Sequence, residues 1–343
     1  MDDRRGFAAV FSILILLCGF MLGIFVYGKF STGIRADGPA TVHVRRGESV
    51  TALARRLGRE GVLRQPEFFR ILAILRGDSH RLQAGEYVVQ GDISPSDLID
   101  YFVAGDGQFH RLTIPEGFSL KDIAAKLEQE GKGDAKRFMH LATDAAFIAT
   151  LELPFELPRA TMEGLAFPET YYFSFGTGEA ELIRMMVREF VKQAYPILRS
   201  KARQAGMTGY EALTLASIIE KETGAEHERI VISAVFHNRL KSKMRLSSDP
   251  TVIYGIEAFN GNLTRRHLRT DSPYNTYRNF GLPPTPIANP GLASLEAALK
   301  PAAVDYLYFV SKGDGTHQFS STYKAHAKAV WRYQKLPHRK QKS

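Results

Sequence analysis

The sequence is poor in cysteine: it has one, Cys18, in 343 residues. A single cysteine cannot form an intramolecular disulfide bond, which excludes a small fold held together by disulfides. The chain also has no low-complexity tract, and 44% of its residues are hydrophobic, as in an ordinary globular protein. Its length allows roughly two or three domains with a substantial core.

The motifs of several large enzyme classes are missing. The sequence contains no G-x-S-x-G, Walker A, H-E-x-x-H or G-x-G-x-x-G pattern. His237, His317 and His326 are too dispersed for a metal site, so we expect no metal and no cofactor. The net charge of +9 is spread along the chain without a nucleic-acid-binding module. We therefore expect a solvated basic surface and no nucleic-acid partner.

The N-terminal segment GFAAVFSILILLCGFMLGIFVY, at 6–27, carries no charge. A helix needs about 20 apolar residues to cross the hydrocarbon core of a bilayer, so this run predicts a transmembrane helix. It follows a short tail at 1–5, whose two arginines favour a cytoplasmic N-terminus, and it precedes a linker at 28–40. A cleaved signal peptide is the alternative, although no clear A-x-A cleavage site follows the run.

A strand–turn–helix pattern occurs twice, about 70 residues apart. The copies are TVHVRRGESVTALARRLGREGV and RLTIPEGFSLKDIAAKLEQEGKG. Aligning Gly47 with Gly117 pairs Ser49 with Ser119 as helix N-caps, and both helices then end at a Glu-Gly pair. The match predicts two structural copies of one unit. One lies in a small α+β module at 41–105 and the other at 106–155.

The second half of the chain, to residue 335, is predicted to be a larger mixed domain. A long amphipathic helix over about 178–205 is expected to be kinked at Pro196, and residues 305–333 are expected to form a hairpin and a closing helix. The segment 244–291 is rich in Pro, Gly and Asn, and long irregular segments of compact domains are often functional. A basic tail follows at 336–343.

The segment MTGYEALTLASIIEKETG is predicted to form a helix over about 209–223. Thr208 and Glu211 form a capping box at its start, and Gly224 stands where a C-terminal glycine is expected. Apolar residues cover most of the circumference, so the helix should be largely buried before it presents Glu220. Partial burial and the negative end of the helix favour the protonated carboxyl group, as a general acid requires. A helix end that reaches water explains the same pattern, so both interpretations stay open.

The chain contains six motifs in a characteristic order: LTIPEGFS, MEGLAFPETYYF, LTLASIIEKET, VFHNRLKSKMRLSSDPTVIYG, SPYNTYRNFGLPPTPIANPG and YLYFVSKGDGTHQFSSTYKAH. Together they resemble the MltG (YceG-like) family of endolytic murein transglycosylases. The likeness extends from the N-terminal apolar run to about Tyr333. It implies an α+β protein with an N-terminal transmembrane helix, a small LysM-like α+β module at 41–105 and a larger mixed α/β catalytic domain at 106–335.

The resemblance also implies an enzyme, a lytic transglycosylase. The family cleaves the β-1,4 bond between N-acetylmuramic acid and N-acetylglucosamine in nascent glycan strands and leaves 1,6-anhydromuramoyl ends. Glu220 is then the catalytic acid/base, and Glu222 a bystander or support. Glu163, Asp249, Asn275 and Tyr277 lie in the family's motifs and are expected to line the glycan cleft, with a structural role as the alternative for each.

A cellular location follows from the same resemblance. It implies a single-pass protein of the inner (cytoplasmic) membrane, with a cytoplasmic N-terminus and a periplasmic catalytic domain that terminates strand elongation. The expected partners are peptidoglycan glycan strands, the cytoplasmic membrane and, as a further candidate, peptidoglycan synthases. Two alternatives stay open: a muramidase that hydrolyses the same bond with water, and a non-catalytic scaffold that binds the cell wall.

Overall fold

The computed structural model describes residues 3–30, 40–89, 93–105, 107, 110–173 and 177–336. The chain divides into two units. Unit 1 comprises Met1–Arg111 and Tyr172–Thr177, and unit 2 comprises Leu112–Tyr171 and Gly178–Ser343. The predicted linker at 28–40 and basic tail at 336–343 fall largely outside the described residues, as does the start of the predicted tail at 1–5.

Unit 1 combines a two-stranded sheet with helices. Its elements in chain order are helix α1 (Asp3–Phe30), strand β1 (Ala40–Val44), helices α2 (Val50–Arg59) and α3 (Pro66–Leu75), strand β2 (Gly85–Val89) and helix α4 (Pro95–Ala104). The two strands pair antiparallel, with Val42 opposite Tyr87. Alternate residues of a strand point to the same face of the sheet. One face of this sheet packs against α2, α3 and α4, and the shared core contains Tyr87, Phe69 and Phe102.

Helix α1 includes the segment at 6–27 for which the sequence predicts a membrane span, and its side chains are described at 13–27. Across the described ranges, no helix is both long enough and apolar enough to cross a membrane. The transmembrane prediction is therefore not confirmed. The LysM-like identity of 41–105 also stays a prediction.

The division between the units falls within two paired strands, β3 (His110–Thr113) and β4 (Thr170–Phe173). Unit 2 continues with helices α5 (Leu120–Gln129), α6 (Ala135–Thr143), α7 (Ala145–Ala149), α8 (Glu179–Gln193), α9 (Tyr195–Lys201), α10 (Gly209–Glu222), α11 (Arg229–Lys241), α12 (Asp249–Tyr254) and α13 (Leu292–Leu299). The antiparallel hairpin of β5 (Tyr308–Ser311) and β6 (His317–Ser320) and helix α14 (Tyr323–Val330) confirm the predicted ending. This mixture of helices and short strands agrees with the predicted α+β class.

The strand–turn–helix pattern occurs twice with matching local geometry. Ser49 caps α2 by accepting the N–H of Ala52, and Ser119 caps α5 by accepting that of Asp122. The turn glycines that precede these caps both have φ close to +77°, a conformation that favours glycine. The two copies therefore agree in their turns and caps as the aligned sequences predict.

Helix α10 lies at the centre of unit 2, because all eight of its residues from Ala212 to Ile219 are buried. The predicted capping box of Thr208 and Glu211 is confirmed at its start. Its end differs from the expectation, since Thr223 is the C-cap in extended geometry and Gly224 does not adopt a positive φ. Gly224 is needed for another reason: a β-carbon there would lie 2.7 Å from the carbonyl oxygen of Gly315.

The helix predicted over 178–205 is divided into α8 and α9. The first helix ends at Gln193, and Pro196 lies in the first turn of the second. A proline is tolerated at that position because the first N–H groups of a helix have no partner within the helix. The sequence predicted one helix with a kink at Pro196, whereas the structure has two separate helices there.

Candidate active site

Helix α10 carries Glu220 in its last turn, where the buried part of the helix ends. The residues before it are buried, whereas Glu220 is partly exposed. Three residues earlier, the Ser217 hydroxyl accepts a hydrogen bond from the N–H of Ile287 over 3.0 Å. This bond ties the helix to the segment that leads into α13. The predicted acid is therefore held by a rigid element at the edge of a core.

One oxygen of the Glu220 carboxyl group has a fixed partner. The backbone N–H of Gly291, the N-cap of α13, donates a hydrogen bond to Oε2 over 3.1 Å. Oε1 receives no hydrogen bond from any residue that the structure describes. An N–H at a helix start stabilises negative charge, so this contact orients the carboxylate while it leaves one oxygen available to a ligand.

The turn at 115–118, part of the LTIPEGFS motif, packs beside Glu220. Lys221 donates a hydrogen bond from Nζ to the carbonyl oxygen of Gly117 over 3.1 Å. A β-carbon on Gly117 would lie 3.5 Å from Cγ of Glu220, in ordinary van der Waals contact. Two motifs that are about 100 residues apart in the sequence are thus neighbours in unit 2.

The same turn brings a second carboxyl group, Glu116, close to Glu220. Burial raises the pKa of Glu116, and the negative charge of Glu220 raises it further. The charge of Arg229 acts in the opposite direction. The sequence contains this residue in a family motif, but nothing in the spacing of the motifs indicated that it would lie beside Glu220.

Glu163 lies in the core and not at an open surface, with only 1% of its area exposed. Its carboxyl oxygens accept hydrogen bonds from the N–H of Leu120 (3.1 and 3.2 Å) and from the Tyr254 hydroxyl (2.8 Å). Burial raises the pKa of Glu163 to about 7, although these two hydrogen bonds lower it. Glu163 is thus buried and bonded to other groups of the protein. Its predicted contact with glycan stays a prediction.

Asn289 connects Glu163 to the turn beside Glu220. Its amide Nδ2 donates to the carbonyl oxygen of Phe118 over 2.8 Å and, more weakly, to Glu163 over 3.4 Å. Its backbone N–H also donates to Phe118, and its carbonyl accepts from Gly117. Glu163 and Asn289 therefore form a buried polar support beneath the turn that carries Glu116.

Asp249 and Tyr277 form a pair that solvent can reach. The Tyr277 hydroxyl donates to Oδ1 of Asp249 over 2.7 Å; Asp249 is exposed and Tyr277 is half-buried. The residue before Asp249 is Ser248, whose hydroxyl donates to Oε1 of Glu222 over 2.6 Å. The backbone N–H of Ser248 donates to the hydroxyl oxygen of Thr276 over 3.0 Å. The loop of the SPYNTY motif is thus joined to the last turn of α10 through Ser248, which gives Glu222 a supporting role.

Asn275 is fully buried and all of its amide atoms are occupied. Its Nδ2 donates to the carbonyl oxygens of Leu268 (3.2 Å) and Thr270 (2.7 Å), and its Oδ1 accepts the N–H of Tyr277 over 3.0 Å. These bonds fix the shape of the loop. A direct contact between Asn275 and substrate is not tested by this geometry and stays a prediction.

The structure describes a cavity and an ion pair besides the groups around Glu220. A cavity of about 760 Å³ is lined by Phe155, Tyr195 and Tyr210 near the start of α10, whereas Glu220 lies at the other end of that helix. His317 pairs with Glu228 over 2.7 Å. Within the part of the chain that the structure describes, no group of three or more His, Cys, Asp or Glu residues is arranged to hold a metal ion.

The fold and the site define a candidate acid/base enzyme, in which a carboxyl group is presented at the end of a buried helix. The model of the YceG-like family matches residues 42–332. The chain therefore belongs to the YceG-like family. Sequence reasoning predicted this membership, which is confirmed.

Individual relatives support the same assignment. The chain is 34% identical over 326 residues to an endolytic murein transglycosylase of Bacillus subtilis, covering 91% of this chain and 90% of the relative. It is 30% identical over 299 residues to one of Streptococcus pneumoniae, covering 79% of this chain and 54% of that longer protein. A crystal structure of a YceG-like protein from Listeria monocytogenes matches with a TM-score of 0.58 and 31% identity, over 85% of this chain and 99% of the other. The prediction that the chain is an enzyme of the lytic transglycosylase class is confirmed by these relationships.

Proposed function

We propose that this chain cleaves the β-1,4 bond between N-acetylmuramic acid and N-acetylglucosamine in peptidoglycan, with Glu220 as the acid/base group. The observation that carries the proposal is the position of Glu220 at the end of a buried helix, with Oε2 held by Gly291 and Oε1 without a partner among the described residues. The names of the relatives support murein as the substrate. We infer cleavage within nascent strands from the family resemblance.

A single acid/base group can perform the whole reaction. Glu220 first donates its proton to the leaving glycosidic oxygen, while positive charge develops at the anomeric carbon of the muramoyl residue. Its carboxylate then removes the proton of the muramoyl 6-hydroxyl, whose oxygen attacks the anomeric carbon. The product end is a 1,6-anhydromuramoyl residue, and no water is consumed. Most glycosidases need a second carboxylate as base or nucleophile, but here the substrate supplies the nucleophile.

The hydrogen bond from Gly291 suits both steps. Its N–H can stay on Oε2 while Oε1 gives up the proton and later accepts one. A bond from N–H to a carboxylate is stronger than one to a neutral acid, so it supports the ionised state between the two steps. Glu163 and Asn289, which lie beneath the turn at 115–118, help to hold that turn beside Glu220.

The remaining predicted site residues are assigned two kinds of role. Asp249 and Tyr277 are accessible, so we propose that they line the glycan cleft through hydrogen bonds to sugar hydroxyl groups. Glu163 and Asn275 are buried and bonded to the protein, so we propose that they hold the walls of the cleft in position.

We also propose that the N-terminal helix anchors the protein in the inner (cytoplasmic) membrane, with the catalytic unit on the periplasmic side. The 22-residue uncharged run at 6–27 supports this placement, as do the exposed apolar side chains of α1, such as Leu16 at 72% and Phe20 at 67%. Such a location would bring the enzyme to newly made strands, whose elongation it would terminate. Peptidoglycan synthases are then natural partners.

Replacement of the acid tests the catalytic proposal. Glu220→Gln is expected to lower glycan cleavage by about 10²–10⁴-fold, because the amide cannot donate or accept the proton. The matched control is Glu211→Gln on the same helix, since Gln also completes a capping box. Cleavage of purified, uncrosslinked glycan would be followed by mass spectrometry. A Glu220→Gln variant that folds normally and cleaves at the wild-type rate would disprove the assignment.

The product distinguishes the two enzymatic alternatives. Anhydromuramoyl ends support the transglycosylase mechanism, and reducing ends with incorporated oxygen from labelled water identify a muramidase. A folded wild-type protein that binds glycan without cleaving it would identify a scaffold instead. The anchor is tested separately, by asking whether the full chain remains in the membrane fraction after alkaline washing.

A further inference from the structure

Glu116 and Glu220 lie on either side of one residue, Gly291. The N–H of Gly291 binds Oε2 of Glu220. A β-carbon on Gly291 would collide with the carboxyl group of Glu116, which therefore occupies the space directly beside the Cα of that glycine. The two carboxyl groups come from different elements, a turn and a helix, and converge on the start of α13.

The Glu116 carboxyl group has no hydrogen bond or ion pair with any other described residue. It belongs to an exposed residue, so its oxygens can reach a ligand that lies over Glu220. Three charged groups face it: Glu220 from α10, Glu226 from the 3₁₀ turn Glu226–Glu228, and Arg229 from the start of α11. Lys221 is directed to the carbonyl oxygen of Gly117, the next residue in the turn.

This environment favours a proton on Glu116. Partial burial, the charge of Glu220 and the more distant charge of Glu226 all raise its pKa, and Arg229 lowers it. A protonated carboxyl group is a hydrogen-bond donor, which an ionised one is not.

We propose that Glu116 is a second carboxyl group of the reaction centre, which donates a hydrogen bond to a sugar oxygen of the glycan beside Glu220. This inference rests on the proposed function of Glu220. No bond to Glu116 forms or breaks in the reaction, and its proton stays on the carboxyl group while Glu220 gives one proton to the leaving oxygen and takes one from the 6-hydroxyl. Glu116 thereby binds and orients the sugar at the point of cleavage.

Two substitutions distinguish a hydrogen-bond donor from a negative charge. Glu116→Gln keeps a planar side chain with a neutral donor, and Glu116→Ala removes it. We expect Glu116→Gln to retain kcat/KM within about threefold of wild type at the lowest pH of the assay, and Glu116→Ala to lose about tenfold, the contribution of one hydrogen bond. The ratio of kcat/KM for Glu116→Gln to that for wild type should rise with pH, because Gln keeps its donor when Glu116 ionises.

The measurement is kcat/KM for anhydromuramoyl product between pH 5 and 9, for wild type and both variants, with unfolding monitored in parallel. The inference is overturned if Glu116→Ala has the wild-type kcat/KM and pH profile. It is also overturned if Glu116→Gln falls as far as Glu116→Ala at every pH, since a negative charge would then be the requirement. Failure of the proposed function is seen in other measurements: an active Glu220→Gln variant, reducing ends in the product, or a wild-type protein that binds glycan without cleaving it.

Discussion

The backbone N–H of Gly291 donates a hydrogen bond to Oε2 of Glu220 over 3.1 Å, and the Cα of the same glycine lies against the Glu116 carboxyl group. Gly291 has an ordinary φ of −76°, so its backbone does not require glycine. A β-carbon at this position would occupy the space that the Glu116 carboxyl group fills. A substitution at residue 291 would therefore move the Glu116 carboxyl group, while the backbone N–H that binds Glu220 is still present.

Gly291→Ala should displace Glu116 while the protein folds normally. The added methyl group would occupy the place of the carboxyl group, and the side chain of Glu116 can rotate away because it is flexible. We expect kcat/KM for glycan cleavage to fall by about tenfold, as for the loss of one hydrogen bond to substrate. The rate and the free energy of unfolding would both be measured.

Gly178→Ala is the matched control for this change. Gly178 is also a helix N-cap with a similar φ of −80°, and a β-carbon there meets no atom within 4 Å. Both substitutions place alanine at an N-cap, so their effects on unfolding should be alike. If Gly291→Ala and Gly178→Ala had the same kcat/KM, the position of Glu116 would not matter to cleavage.

The pH dependence of stability should depend on Glu163. Burial raises its pKa to about 7 in the folded state, from an ordinary value of 4.5. Between these values the folded state keeps a proton that the unfolded state has lost. The contribution of this group to the free energy of unfolding is therefore fully present below pH 4.5 and is lost as the pH rises through about 7. The loss is on the order of 3 kcal/mol.

Glu163→Gln should remove this dependence, because the amide stays neutral at every pH. Urea unfolding at intervals between pH 4.5 and 8 would show a flatter profile than wild type. Tyr254→Phe is expected to enlarge the pH dependence, because the hydroxyl of Tyr254 lowers the pKa of Glu163. Without this hydroxyl, the loss of stability should continue to a higher pH. Parallel profiles for wild type and Glu163→Gln would contradict the expected linkage.

The sequence was sufficient where local patterns determine the structure. The capping box of Thr208 and Glu211 and the burial of α10 before Glu220 both follow from residue spacing within one helix, whereas the spacing left the exposure of Glu220 open. The support by Asn289 and the approach of Glu116 to Gly291 could not be predicted, because they join segments more than 100 residues apart. Glu163 shows the same limit: its position in a motif indicated importance, and only the structure shows that it is buried.

Replacement of Asn275 should affect stability more than catalysis. Asn275→Ala would remove the buried amide that donates to the carbonyl oxygens of Leu268 and Thr270, at a cost of about 0.5–1.5 kcal/mol for each lost hydrogen bond. The exposed Asn279 also donates to two carbonyl oxygens, so Asn279→Ala is the matched control, with an expected loss of less than about 1 kcal/mol.

Chemical unfolding of both asparagine variants provides the comparison. If Asn275 mainly holds the loop, Asn275→Ala lowers the free energy of unfolding well below that of Asn279→Ala, and saturating substrate partly restores its stability. A direct role in sugar binding predicts the opposite pattern, in which KM rises strongly and the free energy of unfolding changes little.

Tyr277→Phe tests the proposed wall of the cleft, because it removes only the hydroxyl that donates to Asp249. Burial raises the pKa of Tyr277, and the hydrogen bond to Asp249 and its charge raise it further, so the hydroxyl is a donor throughout the pH range of the assay. If this pair binds glycan, KM should rise by about five- to tenfold with a smaller change in kcat, equally at pH 5 and pH 9. Tyr323→Phe, at a side chain that is 70% exposed, controls for loss of a surface hydroxyl. An unchanged KM with a lower free energy of unfolding would instead place Tyr277 in the support of the loop, and Asp249 would lose its proposed part in substrate binding.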